Sequence, residues 1–168
     1  MPVQAAPVTD QAKSILLVDD EEGVLATLEA VLSQEGYRVT ATQSAAAALR
    51  ALSRGPYEAV VTDLRLDGSN TGLDIFSAAR EADPEIVGII LTGYVSLESA
   101  VDALRGGVSN YLAKPCNVEE LKLAIARGFE KRQLVQDLAQ ARREAAAREE
   151  AERRRLEAER ARAEIQRY

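Results

Sequence analysis

The stretch ILLVDDEE at residues 15–22 joins a short apolar run to four acidic side chains. An unbroken apolar run of this kind is typical of a strand that is buried on both faces, as in a parallel sheet. Similar runs follow at residues 59–61 (AVV), 87–91 (VGIIL) and 110–113 (NYLA), and a weaker one covers residues 37–41. The sequence therefore predicts five strands.

Helical patterns separate these strands. Apolar residues recur with the i, i+3, i+4, i+7 spacing over 24–32, 45–52 and 97–104, and a less regular pattern covers 73–82. A helix stop signal follows each pattern. In chain order, these signals are Gly36, Gly55-Pro56, Asp83-Pro84 and Gly106-Gly107. The alternation predicts an α/β fold, in which a five-stranded parallel sheet carries helices on both faces.

Polar side chains follow four of the predicted strands. Asp19 and Asp20 come after the first, Asp63 after the third, Thr92 after the fourth and Lys114 after the fifth. Because sites in such sheets form at the carboxyl ends of the strands, we expect these residues to converge. Three carboxylates brought together repel one another unless a hard cation such as Mg²⁺ lies among them. A phosphoryl group on one of them would be neutralised by the metal and the lysine, so the cluster predicts a phosphoacceptor site.

Four motifs occur in order between Ser14 and about Arg132: LLVDDEE, VVTDLRL, ILTGY and YLAKPCNVEEL. Together they resemble the receiver domain of two-component response regulators. The resemblance implies a flavodoxin-like (βα)5 receiver fold with Mg²⁺ as cofactor. It also implies a sensor histidine kinase or phosphotransfer protein as partner, and no enzymatic activity beyond Mg²⁺-dependent self-phosphorylation and self-dephosphorylation at Asp63.

The resemblance also implies a role for each acidic residue. Asp63 would be the phosphorylated residue. Asp20, Asp63 and the backbone carbonyl of Arg65 would bind Mg²⁺ directly, and Asp19 would act through water.

Further roles follow from the same resemblance. Thr92 and Lys114 would contact the phosphoryl oxygens, and Tyr111 would rotate inward as Thr92 moves toward the phosphate. Arg65 and Tyr94 occupy positions that modulate how quickly the phosphoryl group is lost. The Lys114-Pro115 bond is expected to be cis.

The loop after the acceptor departs from the family pattern. Asp67 stands where the family usually has proline, and Gly72 comes nine residues after Asp63 instead of eight. The loop is therefore one residue longer, which bears on the dephosphorylation rate and on partner fit. With Arg65 and Tyr94 flanking the site, we expect slow loss of the phosphoryl group.

Composition excludes several classes of function. The 168 residues contain no His, which excludes catalytic or metal-binding imidazoles, and the single Cys116 cannot form an intramolecular disulfide. The start lacks a secretory signal and no apolar run is long enough to span a membrane, so we expect a cytoplasmic protein. The net charge of −6 argues against nucleic acid as a partner.

The chain changes character near residue 133. Residues 1–13 are expected to be a flexible segment, 14–132 the receiver domain and 133–168 a charged helical extension with nine Arg and eight acidic residues. The last helix is predicted to begin near Asn117 and to continue to Tyr168, with Gly128 as its weak point. Charge pairs at i, i+4 support a solvated single helix.

A coiled-coil dimer is the alternative for this extension. Leu134, Leu138, Ala141 and Ala145 form a heptad-like stripe, but its phase slips further on, where alanine dominates. Leu134, Val135 and Leu138 are therefore the predicted dimer contacts, and we expect a homodimer.

Three functions remain open. The first is a signalling module that passes phosphorylation of Asp63 through the fifth helix into the charged extension. In the second, the chain is the N-terminal part of a longer regulator, with an enzymatic or DNA-binding output beyond Tyr168. The third is a pseudo-receiver that binds partners without phosphorylation.

Overall fold

The computed structural model describes residues 11–66 and 71–167. The strands are β1 (Ser14–Val18), β2 (Arg38–Thr42), β3 (Ala59–Asp63), β4 (Val87–Thr92) and β5 (Asn110–Ala113). The helices are α1 (Glu22–Gln34), α2 (Ala45–Arg54), α3 (Gly72–Ala82), α4 (Leu97–Arg105) and α5 (Val118–Ile165). The predicted α/β alternation is confirmed, and β2 begins and ends one residue later than expected.

All five strands are parallel and lie in the order β2-β1-β3-β4-β5. In the register, Val18 lies opposite Thr62, and Asp63 lies opposite Leu91. The strands β1, β3 and β4 therefore end at one edge of the sheet, where Asp19 and Thr92 also lie. This alignment places the polar cluster.

The sheet separates two apolar clusters. Successive residues of β1 point to opposite faces, so Ile15 and Leu17 belong to one cluster while Leu16 and Val18 belong to the other. The first cluster is closed by α1 and the start of α5, and the second by α2, α3 and α4. Full burial of each aliphatic side chain contributes about 1.5–3 kcal/mol, so both faces of the sheet are strongly held.

Gly128 marks a close approach of helix and sheet. An added Cβ at this position would lie 2.4 Å from Cγ1 of Val87 in β4. The helix α5 continues through Gly128 to Ile165. The glycine that the sequence marks as a weak point therefore allows the helix to pack against the central strands.

The chain forms two compact units with a boundary between Phe129 and Glu130. The second unit is helical and carries ion pairs at its surface. The described residues include four ion pairs with the i, i+4 spacing that the sequence predicts for this helix: Glu144 with Arg148, Glu150 with Arg154, Arg153 with Glu157 and Arg155 with Glu159. Across the described residues, we find no helix that is long and apolar enough to cross a membrane.

Candidate functional site

Three aspartates meet at the carboxyl edge of the sheet. One carboxylate oxygen from each of Asp19, Asp20 and Asp63 lies within 4.8 Å of the other two. Asp19 follows β1 and is 1% exposed, and Asp63 closes the neighbouring strand β3 and is 8% exposed. The sequence placed these acids at the ends of two different strands, and the structure brings them together.

Lys114 lies between two of these carboxylates. Its Nζ donates to Oδ2 of Asp19 at 2.6 Å and to Oδ2 of Asp63 at 2.9 Å. Burial alone would lower the pKa of Lys114, but the hydrogen bonds and charges of Asp19 and Asp63 outweigh burial and raise the pKa above its ordinary value. The side chain is therefore an ammonium ion at neutral pH and offsets part of the acidic charge.

Backbone groups orient the same two carboxylates. Oδ1 of Asp19 accepts from the N–H of Glu21 at 2.9 Å, and Oδ1 of Asp63 accepts from the N–H of Arg65 at 3.3 Å. Each carboxylate thus has one oxygen on a backbone donor and the other on Lys114. The Lys114-Pro115 bond is cis, and the N–H of Lys114 donates to the carbonyl of Thr92 at 2.8 Å.

The hydroxyl of Thr92 is bound to the loop that follows β4. It accepts from the N–H of Tyr94 at 3.0 Å and donates to the carbonyl of Tyr94 at 3.3 Å. The phenol of Tyr111 donates to the same carbonyl at 3.3 Å and lies 2.6 Å from Oγ of Ser99. Tyr94 therefore connects Thr92 to Tyr111, and Ser99 is a member of the network that the sequence reasoning missed.

Arg65 and Tyr94 stack at the edge of the site. The guanidinium carbon of Arg65 lies 4.4 Å from the ring centroid of Tyr94, whose ring belongs to a residue that is 69% exposed. A cation–π contact at such an exposed position contributes about 0.5–1 kcal/mol. The two residues that the resemblance assigns to modulating phosphoryl loss are thus in direct contact.

The first residue of α3 packs against the backbone of Asp63. An added Cβ at Gly72 would lie 2.1 Å from the carbonyl oxygen of Asp63, and the N–H of Gly72 donates to the carbonyl of Leu64 at 2.9 Å. Glycine at this position therefore fixes the start of the helix against the acceptor strand. The other noted departure, Asp67, lies outside the described residues.

A cavity of about 750 Å³ opens between α1 and the loop after β5. Lys114, Val24 and Cys116 are among its lining residues. Burial, with a smaller contribution from the charge of Glu120, raises the pKa of the Cys116 thiol. The thiol is consequently protonated at neutral pH.

Comparison with known proteins identifies the class. The sequence model of the family described as response regulator receiver domain matches residues 15–126, so the chain belongs to this family. The predicted fold class and resemblance are confirmed.

Individual relatives agree with this assignment. The alginate biosynthesis transcriptional regulatory protein AlgB of Pseudomonas putida is 41% identical over 125 residues, which cover 74% of this chain and 28% of that protein. This chain thus spans less than a third of the length of the curated relatives that it matches first.

Two solved structures are also similar. A response regulator protein from Burkholderia pseudomallei, solved with a phosphorylated aspartic acid and a calcium ion, has a TM-score of 0.63 and 33% identity, covering 75% of this chain and 74% of that one. The beryllofluoride-activated receiver domain dimer of NtrC4 has a TM-score of 0.66 and 30% identity, covering 71% and 98%.

Proposed function

We propose that this receiver domain accepts a phosphoryl group on Asp63. The observation that carries the proposal is the position of Oδ2 of Asp63, which lies 2.9 Å from the ammonium group of Lys114 and beside the carboxylates of Asp19 and Asp20. The donor is a phosphorylated histidine of a partner protein. Oδ2 of Asp63 attacks the phosphorus atom, the P–O bond to Asp63 forms, and the bond between phosphorus and the histidine nitrogen of the donor breaks. Lys114 then neutralises charge on the phosphoryl oxygens.

The acidic cluster fits a divalent cation. Asp19, Asp20 and Asp63 supply only carboxylate oxygens, which are the ligands that Mg²⁺ prefers. We propose that Asp20, Asp63 and the backbone carbonyl of Arg65 bind the ion directly while Asp19 acts through water. The bound ion would supply charge neutralisation between the acceptor and the incoming phosphoryl group.

Thr92 and Tyr111 serve as the switch in this proposal. The Thr92 hydroxyl must leave its two bonds to Tyr94 before it can bind a phosphoryl oxygen. Because the phenol of Tyr111 shares the Tyr94 carbonyl, release of Thr92 changes the environment of Tyr111 as well. Phosphorylation would thereby alter the face formed by α4, β5 and α5.

Arg65 and Tyr94 affect the rate of self-dephosphorylation in this proposal. The stacked Arg65 and Tyr94 limit the approach of water to Asp63, and the phosphoryl group is therefore lost slowly. The activity is confined to phosphorylation and dephosphorylation of Asp63 itself.

The phosphoryl donor in this proposal is a sensor histidine kinase or a phosphotransfer protein, which places the chain in the cytoplasm. We also propose a homodimer through the helical extension, residues 133–168, which follows the receiver domain of residues 14–132. The exposure of Leu134 (62%) and Leu138 (53%), with Val135 beside them, supports this contact. The NtrC4 receiver domain, solved as a dimer, supports a dimeric state as such. The net charge of −6 disfavours nucleic acid as a partner of the chain itself.

A second candidate is the receiver part of a longer transcriptional regulator. The observation that favours it is the match to AlgB, a transcriptional regulatory protein of which the alignment covers 28%. Phosphorylation of Asp63 is common to both candidates. A pseudo-receiver lacks this step.

The phosphate mimic beryllofluoride, added with Mg²⁺, tests the proposal. Amide NMR follows its binding to the chain, and light scattering measures the mass of the assembly. We expect saturable binding to the wild-type chain and none to Asp63→Asn. Binding that is equal in both chains contradicts the acceptor assignment.

The same samples report on the dimer. A dimer that is lost in Leu134→Lys and retained in Leu156→Lys supports the predicted contacts, whereas a monomer under all conditions contradicts them.

A further inference from the structure

The helix α4 buries little apolar surface. Ala103 is its buried residue, while Leu97 is 83% exposed and Leu104 is 58% exposed. The neighbouring helix α3, in contrast, buries four residues, namely Gly72, Ile75, Phe76 and Ala79. Since helices are held in place mainly by their apolar face, polar contacts carry a larger share of the attachment of α4.

Two polar contacts lie at opposite ends of α4. Near its start, Oγ of Ser99 lies 2.6 Å from the phenol oxygen of Tyr111 in β5. At its end, Nη1 of Arg80 in α3 donates to the carbonyl of Gly106 at 2.6 Å. The first contact joins α4 to the proposed switch residue Tyr111, whereas the second joins the end of α4 to α3.

Ser99 is also bound within the first turn of α4. Its N–H donates to Oγ of Ser96, the N-cap residue, and the Oγ atoms of the two serines lie 2.7 Å apart. Because the phenol of Tyr111 donates to the Tyr94 carbonyl, the Ser99 hydroxyl is the donor in the contact with Tyr111. A shift of Tyr111 would consequently pull on the capped end of the helix. The contact of Tyr111 with Ser99 is shorter than its 3.3 Å bond to the carbonyl of Tyr94.

We propose that Ser99 is a positioning residue, whose hydroxyl holds Tyr111 against α4 and transmits the state of Thr92 to this helix. The proposal rests on the phosphoacceptor function proposed above. When Thr92 leaves Tyr94 for a phosphoryl oxygen, the Tyr94 carbonyl moves, the phenol of Tyr111 follows it, and Ser99 carries the displacement into the first turn of α4.

A matched pair of substitutions tests this role. Ser99→Thr keeps the hydroxyl, while Ser99→Val has the same shape without it. The Cζ resonance of [ζ-¹³C]tyrosine reports the hydrogen bonding of each of the five tyrosines, and Tyr111→Phe assigns the signal. Hydrogen exchange of the α4 amides reports the attachment of the helix.

Without beryllofluoride, we expect Ser99→Val to shift the Tyr111 signal and to lower α4 protection about two- to tenfold, the effect of one net hydrogen bond. Ser99→Thr should match the wild type. Adding Tyr111→Phe to Ser99→Val should cause no further loss. Ser53→Val, at an exposed helical serine of α2, serves as the control and should leave both readouts unchanged.

With beryllofluoride and Mg²⁺, α4 protection should change in the wild type and in Ser99→Thr. In Ser99→Val the change should disappear, while the affinity for beryllofluoride stays within about threefold. Wild-type behaviour of Ser99→Val in both arms overturns the role of Ser99. A wild-type chain that does not bind beryllofluoride contradicts the phosphoacceptor function instead, and the measurements without beryllofluoride still decide whether Ser99 holds Tyr111.

Discussion

Replacing Lys114 with Gln removes the ammonium group that bridges Asp19 and Asp63. Breaking a fully buried ion pair costs about 3–5 kcal/mol, because the remaining charge stays unpaired. The side chain of Lys114 is 14% exposed, so water recovers part of this cost. We therefore expect Lys114→Gln to lower the free energy of unfolding by about 2–3 kcal/mol in the absence of Mg²⁺.

Urea unfolding followed by the near-ultraviolet circular dichroism of the tyrosines measures this change. With a denaturant slope of about 1–3 kcal/mol per molar, the midpoint should fall by about 0.7–3 M. Mg²⁺ should restore much of the loss, since a cation among the three carboxylates replaces the missing positive charge.

Lys122→Gln is the matched control. Lys122 also bridges two carboxylates, those of Glu35 at 3.0 Å and Glu119 at 3.2 Å, but this pair of contacts lies at the surface. Solvent screens exposed ion pairs, so its midpoint should hardly move. Equal midpoints for the Lys114 and Lys122 variants, or no effect of Mg²⁺ on Lys114→Gln, would show that Lys114 does not offset the charge of the aspartates.

Three further predictions concern residues around the site. Gly72→Ala should destabilise the domain by about 2 kcal/mol or more, because its Cβ would clash with the Asp63 carbonyl. Gly23→Ala, in open space on α1, should be neutral or stabilising by up to about 1 kcal/mol. Thermal unfolding compares the two variants, and equal melting temperatures would contradict the clash. Tyr94→Leu should shorten the phosphoryl half-life about two- to fivefold, the equivalent of the lost cation–π contact. Tyr94→Phe keeps an aromatic ring and should keep the wild-type half-life. A decay assay in which both variants match the wild type argues against the role of the stack. Cys116 should react slowly with iodoacetamide at pH 7.5 and faster only well above pH 9.0, since its pKa is raised; rapid alkylation at neutral pH would show an exposed, ionised thiol.

The meeting of Asp19, Asp63 and Lys114 could be predicted from the sequence. Each residue follows an apolar run, and parallel strands in one sheet end at the same edge. The spacing along the chain therefore determines the neighbourhood, even for residues that lie 95 positions apart.

The orientation of Thr92 could not be predicted in the same way. Its hydroxyl partners depend on the backbone path of the loop after β4, which no periodicity specifies. The contact of Ser99 with Tyr111 likewise depends on how α4 sits against β5. The serine appeared in the sequence only as a polar residue three positions after the cap Ser96.

Gly128 shows a further limit. Helix propensity marks glycine as a weak point within a helix. The structure shows a close contact with Val87 that a larger residue would block, so tertiary packing explains the glycine.

Chemical mapping of the phosphorylated residue tests the assignment of Asp63 as the phosphoacceptor. The chain is incubated with acetyl phosphate and Mg²⁺, the acyl phosphate is reduced with borohydride, and the peptides are analysed by mass spectrometry for conversion of aspartate to homoserine. We expect conversion at Asp63 in the wild-type chain, no conversion in Asp63→Asn, and unchanged conversion at Asp63 in Asp83→Asn, which alters an aspartate in the loop before β4. Conversion at Asp19 or Asp20 in the wild-type chain, without conversion at Asp63, would contradict this assignment.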